Sequence, residues 1–148
     1  MVAEPQAVLA EIEQSSPPAA SCDLERVVLG VREGFAPGEP APVRIFVGTE
    51  TGQQRAERVF IWSIEQVRDP SRVYEITLMK ELPGFDPRRW LTGFTNYRFA
   101  IPELAGGTGR AIYNDVDQIY LSDPAELFDM PMGEHGFMSI SDRDTSVM

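Results

Sequence analysis

Two carboxylates that lie two positions apart, Asp115 and Asp117, are the residues of this sequence best suited to chemistry. They belong to the stretch 111–121, whose apolar and aromatic residues predict a short buried strand that ends at the pair. Because side chains alternate across a strand, the two carboxylates are expected to point to one side, with Val116 turned into packing. Converging carboxylates are costly to bury without a cation or firm hydrogen bonds. A divalent metal that also binds phosphate oxygens is the natural compensation.

The residues after this pair predict a helix start that would frame it. Asp123 is the expected N-cap, Pro124 occupies the first helical position, and Glu126 follows three residues after the cap, as in a capping box. The pair would then lie between a buried strand and a capped helix. This is the carboxyl end of a strand, where open α/β sheets bind ligands.

The acidic pair and its flanking residues resemble the Asp-x-Asp region of GT-A glycosyltransferases. The resemblance lies in the run Asn114-Asp115-Val116-Asp117, with Gly109-Arg110-Ala111-Ile112-Tyr113 before it and Asp123-Pro124-Ala125-Glu126-Leu127-Phe128 after it. Within that fold the run is most similar to glycosyltransferase family 8, over residues 43–148. The resemblance implies an α/β fold of GT-A type with a mainly parallel, Rossmann-like sheet that binds a nucleotide sugar. It also implies metal-dependent transfer of a hexosyl group, with retention, from a nucleotide diphosphate sugar to an acceptor hydroxyl.

The resemblance assigns roles to individual residues. Asp115 and Asp117 would be the catalytic and metal-binding residues, with Mn²⁺ or Mg²⁺ as the ion, and Tyr97-Arg98 matches a Tyr-Arg pair whose Arg reaches the donor. The donor-binding residues implied are Gly48, Thr49, Arg98, Asn114, Asp115, Val116 and Asp144. A UDP-sugar is the usual donor of the family, but this chain has Gly48-Thr49-Glu50 where the family usually has Asp and Asn-Tyr. The family's third metal ligand, a C-terminal His, has no counterpart, because His135 follows the motif too soon and is expected in an exposed loop.

Composition narrows the classes of partner and compartment. The chain of 148 residues has 23 acidic and 13 basic residues and a net charge of -10, which argues against a nucleic-acid backbone and an anionic membrane surface as partners. One cysteine, Cys22, excludes an internal disulfide and fits a reducing compartment. No stretch approaches the ~20 apolar residues of a membrane span, and the N-terminus lacks a signal-peptide pattern, so a cytoplasmic location is predicted.

The order of predicted elements indicates an α/β domain after an N-terminal arm. Residues 1–42 are expected to be a partly ordered arm that ends in a proline-rich linker, with a short strand or helix at 24–31. The domain at 43–148 starts with a strand at 43–49, a helix at 53–67 and a strand at 73–79, an order that predicts a parallel pair with a right-handed crossover. Residues 95–104 are expected to be partly helical.

The helix at 53–67 is predicted to turn Val59, Phe60, Ile64 and Val67 toward the core. Residues 144–148 resemble the start of a strand. Because the fold of family 8 continues past this point, the resemblance implies an N-terminal fragment of that fold, truncated within the nucleotide-sugar domain.

The acidic pair has three other interpretations. A non-catalytic or truncated domain that binds a metal-nucleotide is the main alternative. A phosphatase of the haloacid dehalogenase type would use the first Asp as nucleophile, but Ile119 stands where its motif has Thr. An EF-hand loop is excluded because its sixth position, which must be Gly, is Tyr120.

Overall fold

One mixed sheet of four strands carries the residues of interest. The computed structural model describes residues 23–85, 94–141, 144 and 147. Its strands are β1 (Arg26–Leu29), β2 (Val43–Gly48), β3 (Tyr74–Met79) and β4 (Ile112–Asp115). Its helices are α1 (Gln54–Val67), a 3₁₀-helix (Tyr97–Ala100), α2 (Ile101–Leu104) and α3 (Pro124–Phe128).

The strand order is β1-β3-β2-β4, and β2 runs parallel to both β3 and β4. This confirms the predicted α/β class and the predicted parallel pair of β2 and β3. β1 is antiparallel to β3, so the sheet is mixed, and this strand lies N-terminal to the boundary expected at residue 42. The register sets Gly48 of β2 opposite Met79 of β3 and Asp115 of β4. The carboxyl ends of three strands therefore meet at one edge of the sheet.

Alternate residues of the strands enter two apolar clusters, as the period of a strand requires. One cluster joins Ile45 and Val47 to Phe60 and Ile64 of α1. The other joins residues such as Phe46 and Met79 to the aromatic residues of the 94–105 segment and β4, namely Phe94, Tyr97 and Tyr113. Packing on both faces thus fixes the strand ends that carry the candidate site.

The α1 helix begins one residue later than predicted and ends at the predicted residue, Val67. Phe60 and Ile64 are fully buried, as expected from their helical spacing. The prediction for Val59 is wrong, because its side chain is 47% exposed. Neighbouring positions on a helix lie about 100° apart, so with Phe60 facing the sheet Val59 is turned toward its flank.

The predicted cap of α3 is confirmed. The Asp123 carboxylate accepts a hydrogen bond of 2.9 Å from the Ala125 amide, and Pro124 is the first residue of the helix. The same carboxylate accepts from the Tyr74 hydroxyl at 2.7 Å and from the Asp69 amide at 2.9 Å. Asp123 therefore joins α3 to β3 and to the end of α1.

The glycine-rich entry to β4 is held by one guanidinium. Arg44 of β2 donates to the carbonyl oxygens of Ala105, Thr108 and Arg110 at 2.8–2.9 Å. Gly109 has a φ of +79°, and a Cβ there would lie 2.7 Å from Arg44 Nη2. The turn thus needs glycine both for its backbone angle and for this close approach.

None of the helices built from the described residues combines the length and the apolar character that crossing a bilayer requires.

Candidate functional site

Asp115 is the last residue of β4, beside the end of β2, and its side chain is 23% exposed. The Tyr113 hydroxyl donates to Asp115 Oδ1 at 2.6 Å. The two residues are two positions apart on one strand, so their side chains share a face. The hydrogen bond fixes the carboxylate at the carboxyl edge of the sheet. Tyr113 has no role in the sequence-based assignment, although the alternation applied to the two aspartates would have found it.

Gly48 provides the space for this arrangement. A Cβ at Gly48 would lie 2.4 Å from the Tyr113 hydroxyl oxygen and 2.8 Å from Phe94 Cδ2. These distances are well inside van der Waals contact, so any side chain at this position would displace the tyrosine or the phenylalanine. Close packing over the strand end therefore accounts for a glycine at position 48. The contact between Gly48 and a sugar donor that the resemblance implies stays a prediction.

Arg98 forms the second side of the Asp115 environment. Its guanidinium carbon lies 4.6 Å from the centroid of the Tyr113 ring, a cation–π arrangement, and Nη2 lies 3.8 Å from Asp115 Oδ1. Arg98 Nε donates to the Thr95 carbonyl oxygen at 2.9 Å, and the side chain is 10% exposed. The structure thus brings Arg98 to Asp115 and fixes it in the wall of the site, whereas the contact with a donor that the resemblance implies stays a prediction.

The protonation of Asp115 reflects opposing influences. Burial raises the pKa of its carboxyl above the ordinary value, and the negative charges of Asp117 and Asp144 raise it further. The hydrogen bond from Tyr113 and the charge of Arg98 lower this pKa but do not offset the rise. The ionised carboxylate is therefore held at a free-energy cost that a nearby cation would reduce.

Asp117 does not continue the strand. The strand ends at Asp115, whose carbonyl accepts from the Gln118 amide at 3.2 Å, so Val116 and Asp117 occupy the centre of a turn. The expectation that Asp115 and Asp117 share a face through strand alternation is therefore wrong. Buried Val116 takes one more ladder bond, from its amide to the Gly48 carbonyl at 3.1 Å, while the Gln118 bond to the Asp115 carbonyl closes the turn. Asp117 is exposed and lies near enough to Asp115 to raise its pKa.

Asp144 is exposed, and its charge also acts on Asp115. Its amide donates to Ser141 Oγ at 3.0 Å. Val147 forms an isolated antiparallel bridge with Asn114 on the outer edge of β4. The last described positions of the chain thus lie beside the strand that ends at Asp115.

Three of the expected donor-binding residues direct their side chains inside the protein. Thr49 is fully buried, and its hydroxyl donates to Glu57 Oε1 at 2.7 Å. The Asn114 side chain donates to Gln118 Oε1 at 3.0 Å and accepts from the Tyr120 hydroxyl at 2.7 Å. Val116 belongs to the apolar cluster that packs against α1. These side chains stabilise the strand ends and the turn.

A second polar group at the same edge is not predicted from the sequence. Glu57, in the first turn of α1, is buried, and Lys80 Nζ lies 3.3 Å from each of its carboxylate oxygens. Lys80 Nζ also lies 3.1 Å from a Glu25 oxygen. Because Lys80 follows β3 and Glu25 precedes β1, this ion-pair network ties α1 to the sheet edge. Only the tertiary fold brings these residues together.

The residues at this edge offer a divalent ion few ligands. Carboxylate oxygens are the ligands that Mg²⁺ and Mn²⁺ prefer. Within the ranges that the structure describes, no group of three or more His, Cys, Asp or Glu side chains is placed to hold a metal. His135 is exposed in a loop, as expected. Mg²⁺ is commonly bound by one or two carboxylates together with substrate phosphates and water. The described residues therefore form no closed protein site for a metal, and an ion held by Asp115 and Asp117 together with substrate phosphates stays a prediction.

Comparison of the chain with protein-family models, with curated proteins and with solved structures finds no match. The chemistry of the residues at the end of β4 and the likeness of their sequence to the Asp-x-Asp region are therefore the grounds for a functional proposal.

Proposed function

We propose that this chain is the nucleotide-sugar domain of a metal-dependent glycosyltransferase of GT-A type. It transfers a hexosyl group, with retention, from a nucleotide diphosphate sugar to an acceptor hydroxyl. The observation that carries this proposal is the placement of Asp115. A partly buried carboxylate lies at the carboxyl edge of parallel strands, in the negative field of Asp117 and Asp144, and this favours a cation as its partner.

In this proposal Asp115 and Asp117 hold Mn²⁺ or Mg²⁺ with the diphosphate of the donor. The ion, when bound, supplies electrostatic stabilisation of the charge that grows on the departing diphosphate. Tyr113 and Arg98 orient Asp115 and favour its ionised form, since each lowers its pKa. A deprotonated carboxylate is the form that binds metal, so these two residues support metal binding at neutral pH.

Arg98 has a second proposed role toward the donor. A guanidinium can bind phosphate or sugar hydroxyls through two parallel hydrogen bonds. In the structure it stacks on Tyr113 and faces Asp115, so a donor that reached it would lie against the same carboxylate. The sequence offers no obvious protein nucleophile, so retention is proposed to proceed without one.

Release of labelled sugar from a UDP-sugar, with water as the acceptor, tests this function. The expected result is release that depends on Mn²⁺ or Mg²⁺ and that stops with a chelator. Asp117→Asn should lower the rate by roughly 10²-fold or more, because it removes charge stabilisation that acts in the transition state. The matched control is Glu126→Gln, an exposed carboxylate on α3, which should leave the rate unchanged.

Two outcomes would contradict the proposal that this chain is a glycosyltransferase. Metal-dependent binding of the nucleotide without sugar release would support a non-catalytic metal-nucleotide-binding domain. Sugar release that is equal with and without metal, or equal in Asp117→Asn and wild type, would remove the two aspartates from the reaction.

A further inference from the structure

A largely apolar cavity of about 380 Å³ lies beside the candidate site. It opens to solvent and is lined by β4, by residues at the start of α2 and the end of α3, and by the 130–140 segment. Arg98 and Tyr113 line it, so it shares a wall with the Asp115 environment. The volume is at the lower end of the range of about 300–1,000 Å³ that small-molecule sites occupy.

The apolar lining is chemically uniform. Leucine, isoleucine, phenylalanine and methionine side chains form most of it, among them Leu127, Phe128, Met130, Met132 and Met138. Methionine side chains adapt to the shape of a bound apolar group. Phe137 and Ile140, which also line the cavity, are each 63% exposed. An apolar ligand would remove this exposed surface from water, and that transfer is favourable.

The charged residues that line the cavity are all positively charged. They are Arg98 and Arg110, and the part of the chain that the structure describes contributes no carboxylate to the wall. This is unexpected in a chain with 23 acidic and 13 basic residues. Arg110 Nη1 donates to the carbonyl oxygens of Phe128 and Met130 at 3.1 and 2.6 Å, so the guanidinium is fixed at the wall. The cavity therefore combines an apolar interior with a positioned cation.

We propose that this cavity binds a free, single-chain anionic amphiphile, such as an alkyl carboxylate or alkyl phosphate. The alkyl chain lies among the apolar side chains, and the anionic group pairs with Arg110. One short chain suits a cavity of this size better than a two-chain lipid does. The site goes beyond the proposed sugar transfer and does not depend on it, because neither the metal nor the nucleotide takes part in recognition.

Titration of the whole protein with monomeric decanoate, followed by calorimetry or ligand-observed NMR, tests the proposal. We expect saturable binding of one decanoate per chain without added metal or nucleotide. Decyltrimethylammonium has the same chain with the opposite charge, and butyrate has the same charge with a short chain. Each should bind at least tenfold more weakly. Equal binding of the cation or of butyrate would overturn the proposal, as would the absence of decanoate binding.

Variants locate the site. Phe137→Asp should weaken decanoate binding tenfold or more, because it places a negative charge in the lining. Trp62→Asp is the matched control, since Trp62 is also 63% exposed but lies on α1, away from the cavity, and decanoate affinity should not change. Arg110→Gln should cost roughly tenfold, and Arg110→Lys should retain part of the affinity. Equal affinity in all four variants would place the binding elsewhere and overturn the proposal.

Sedimentation with phosphatidylglycerol vesicles distinguishes a free ligand from a membrane surface. The proposal predicts decanoate binding in solution and no co-sedimentation. Co-sedimentation without binding of free decanoate would contradict it. The wild-type comparisons decide the proposal by themselves, so a variant that failed to fold would not leave it open.

Discussion

At the scale of the residue, Asp115 shows a conflict between stability and the proposed chemistry. Burial and two neighbouring negative charges disfavour its ionised form, while Tyr113 and Arg98 favour it. An ionised carboxylate in such surroundings lowers the stability of the folded protein. It is typical of a residue retained for binding, because stability alone would favour a neutral side chain.

The substitution Asp115→Asn should therefore stabilise the metal-free protein at neutral pH, by roughly 0.5–1 kcal/mol. The folded-state pKa of Asp115 is raised above 3.8, so the native state holds the proton more tightly, and stability falls as the pH rises through the interval above 3.8. The asparagine cannot ionise but can still accept from the Tyr113 hydroxyl. Urea unfolding of both proteins, with a chelator present, measures the difference.

The gain from Asp115→Asn should disappear below pH 3.8, where the carboxyl is protonated in both states. Asp117→Asn, at an exposed position, serves as the control and should change stability little at either pH. An Asp115→Asn variant that is equally destabilised at both pH values would show that the carboxylate is needed for packing.

At the scale of the element, a few side chains connect β4 and α3 to the neighbouring strands and turns. Arg44 fixes the turn that leads into β4 through three carbonyl oxygens. Asp123 caps α3 and binds the Tyr74 hydroxyl of β3. Burial and this hydrogen bond both raise the pKa of the Tyr74 hydroxyl, which stays protonated as the donor. A short helix of five residues depends on such contacts rather than on its own propensity.

Asp123→Ala is expected to destabilise the protein by about 2–3 kcal/mol. Loss of the N-cap costs about 1 kcal/mol, and leaving the buried Tyr74 hydroxyl without this acceptor adds a comparable or larger amount. Equilibrium urea unfolding measures the change. Glu126→Ala in the same helix is the control and should cost less than about 0.5 kcal/mol.

The double variant Asp123→Ala with Tyr74→Phe should recover part of the loss, because removing both partners leaves no unsatisfied hydroxyl. Additive losses in the double variant would mean that the Tyr74–Asp123 hydrogen bond contributes nothing of its own. The inference that Asp123 stabilises the contact between α3 and β3 would then be wrong.

Local sequence patterns predicted much of this fold. The bounds of β2, α1 and β3 and the cap at Asp123 follow from short-range propensity and spacing. What could not be predicted depends on contacts between distant residues. The turn at Asp117 follows a last ladder bond from the Val116 amide to the Gly48 carbonyl of β2, and the Glu57–Lys80 pair requires α1 to be docked on the sheet. Tyr113 is the exception, since strand alternation alone would have placed it beside Asp115.

At the scale of the whole molecule, the strand order places the polar groups at one edge. The parallel strands β2, β3 and β4 end together, so Asp115 and the Glu57–Lys80 network lie along the same side of the sheet. This is the side on which open α/β sheets bind ligands. The cavity proposed for an amphiphile lies against β4, and Arg98 lines this cavity as well as contacting Asp115. The Asp115 environment and the cavity thus lie on one strand, β4, while the Glu57–Lys80 network lies farther along the same edge.

We propose that Asp115 and Asp117 hold an ion that carries a donor's phosphates. Calorimetric titration of UDP into the whole protein, in excess Mn²⁺ and then in a chelator, tests it most directly. We predict binding only with the metal, and a loss of roughly tenfold or more in Asp117→Asn, whose thermal unfolding should match that of the wild type. Binding that is indifferent to metal, or unchanged in a folded Asp117→Asn variant, would contradict the claim.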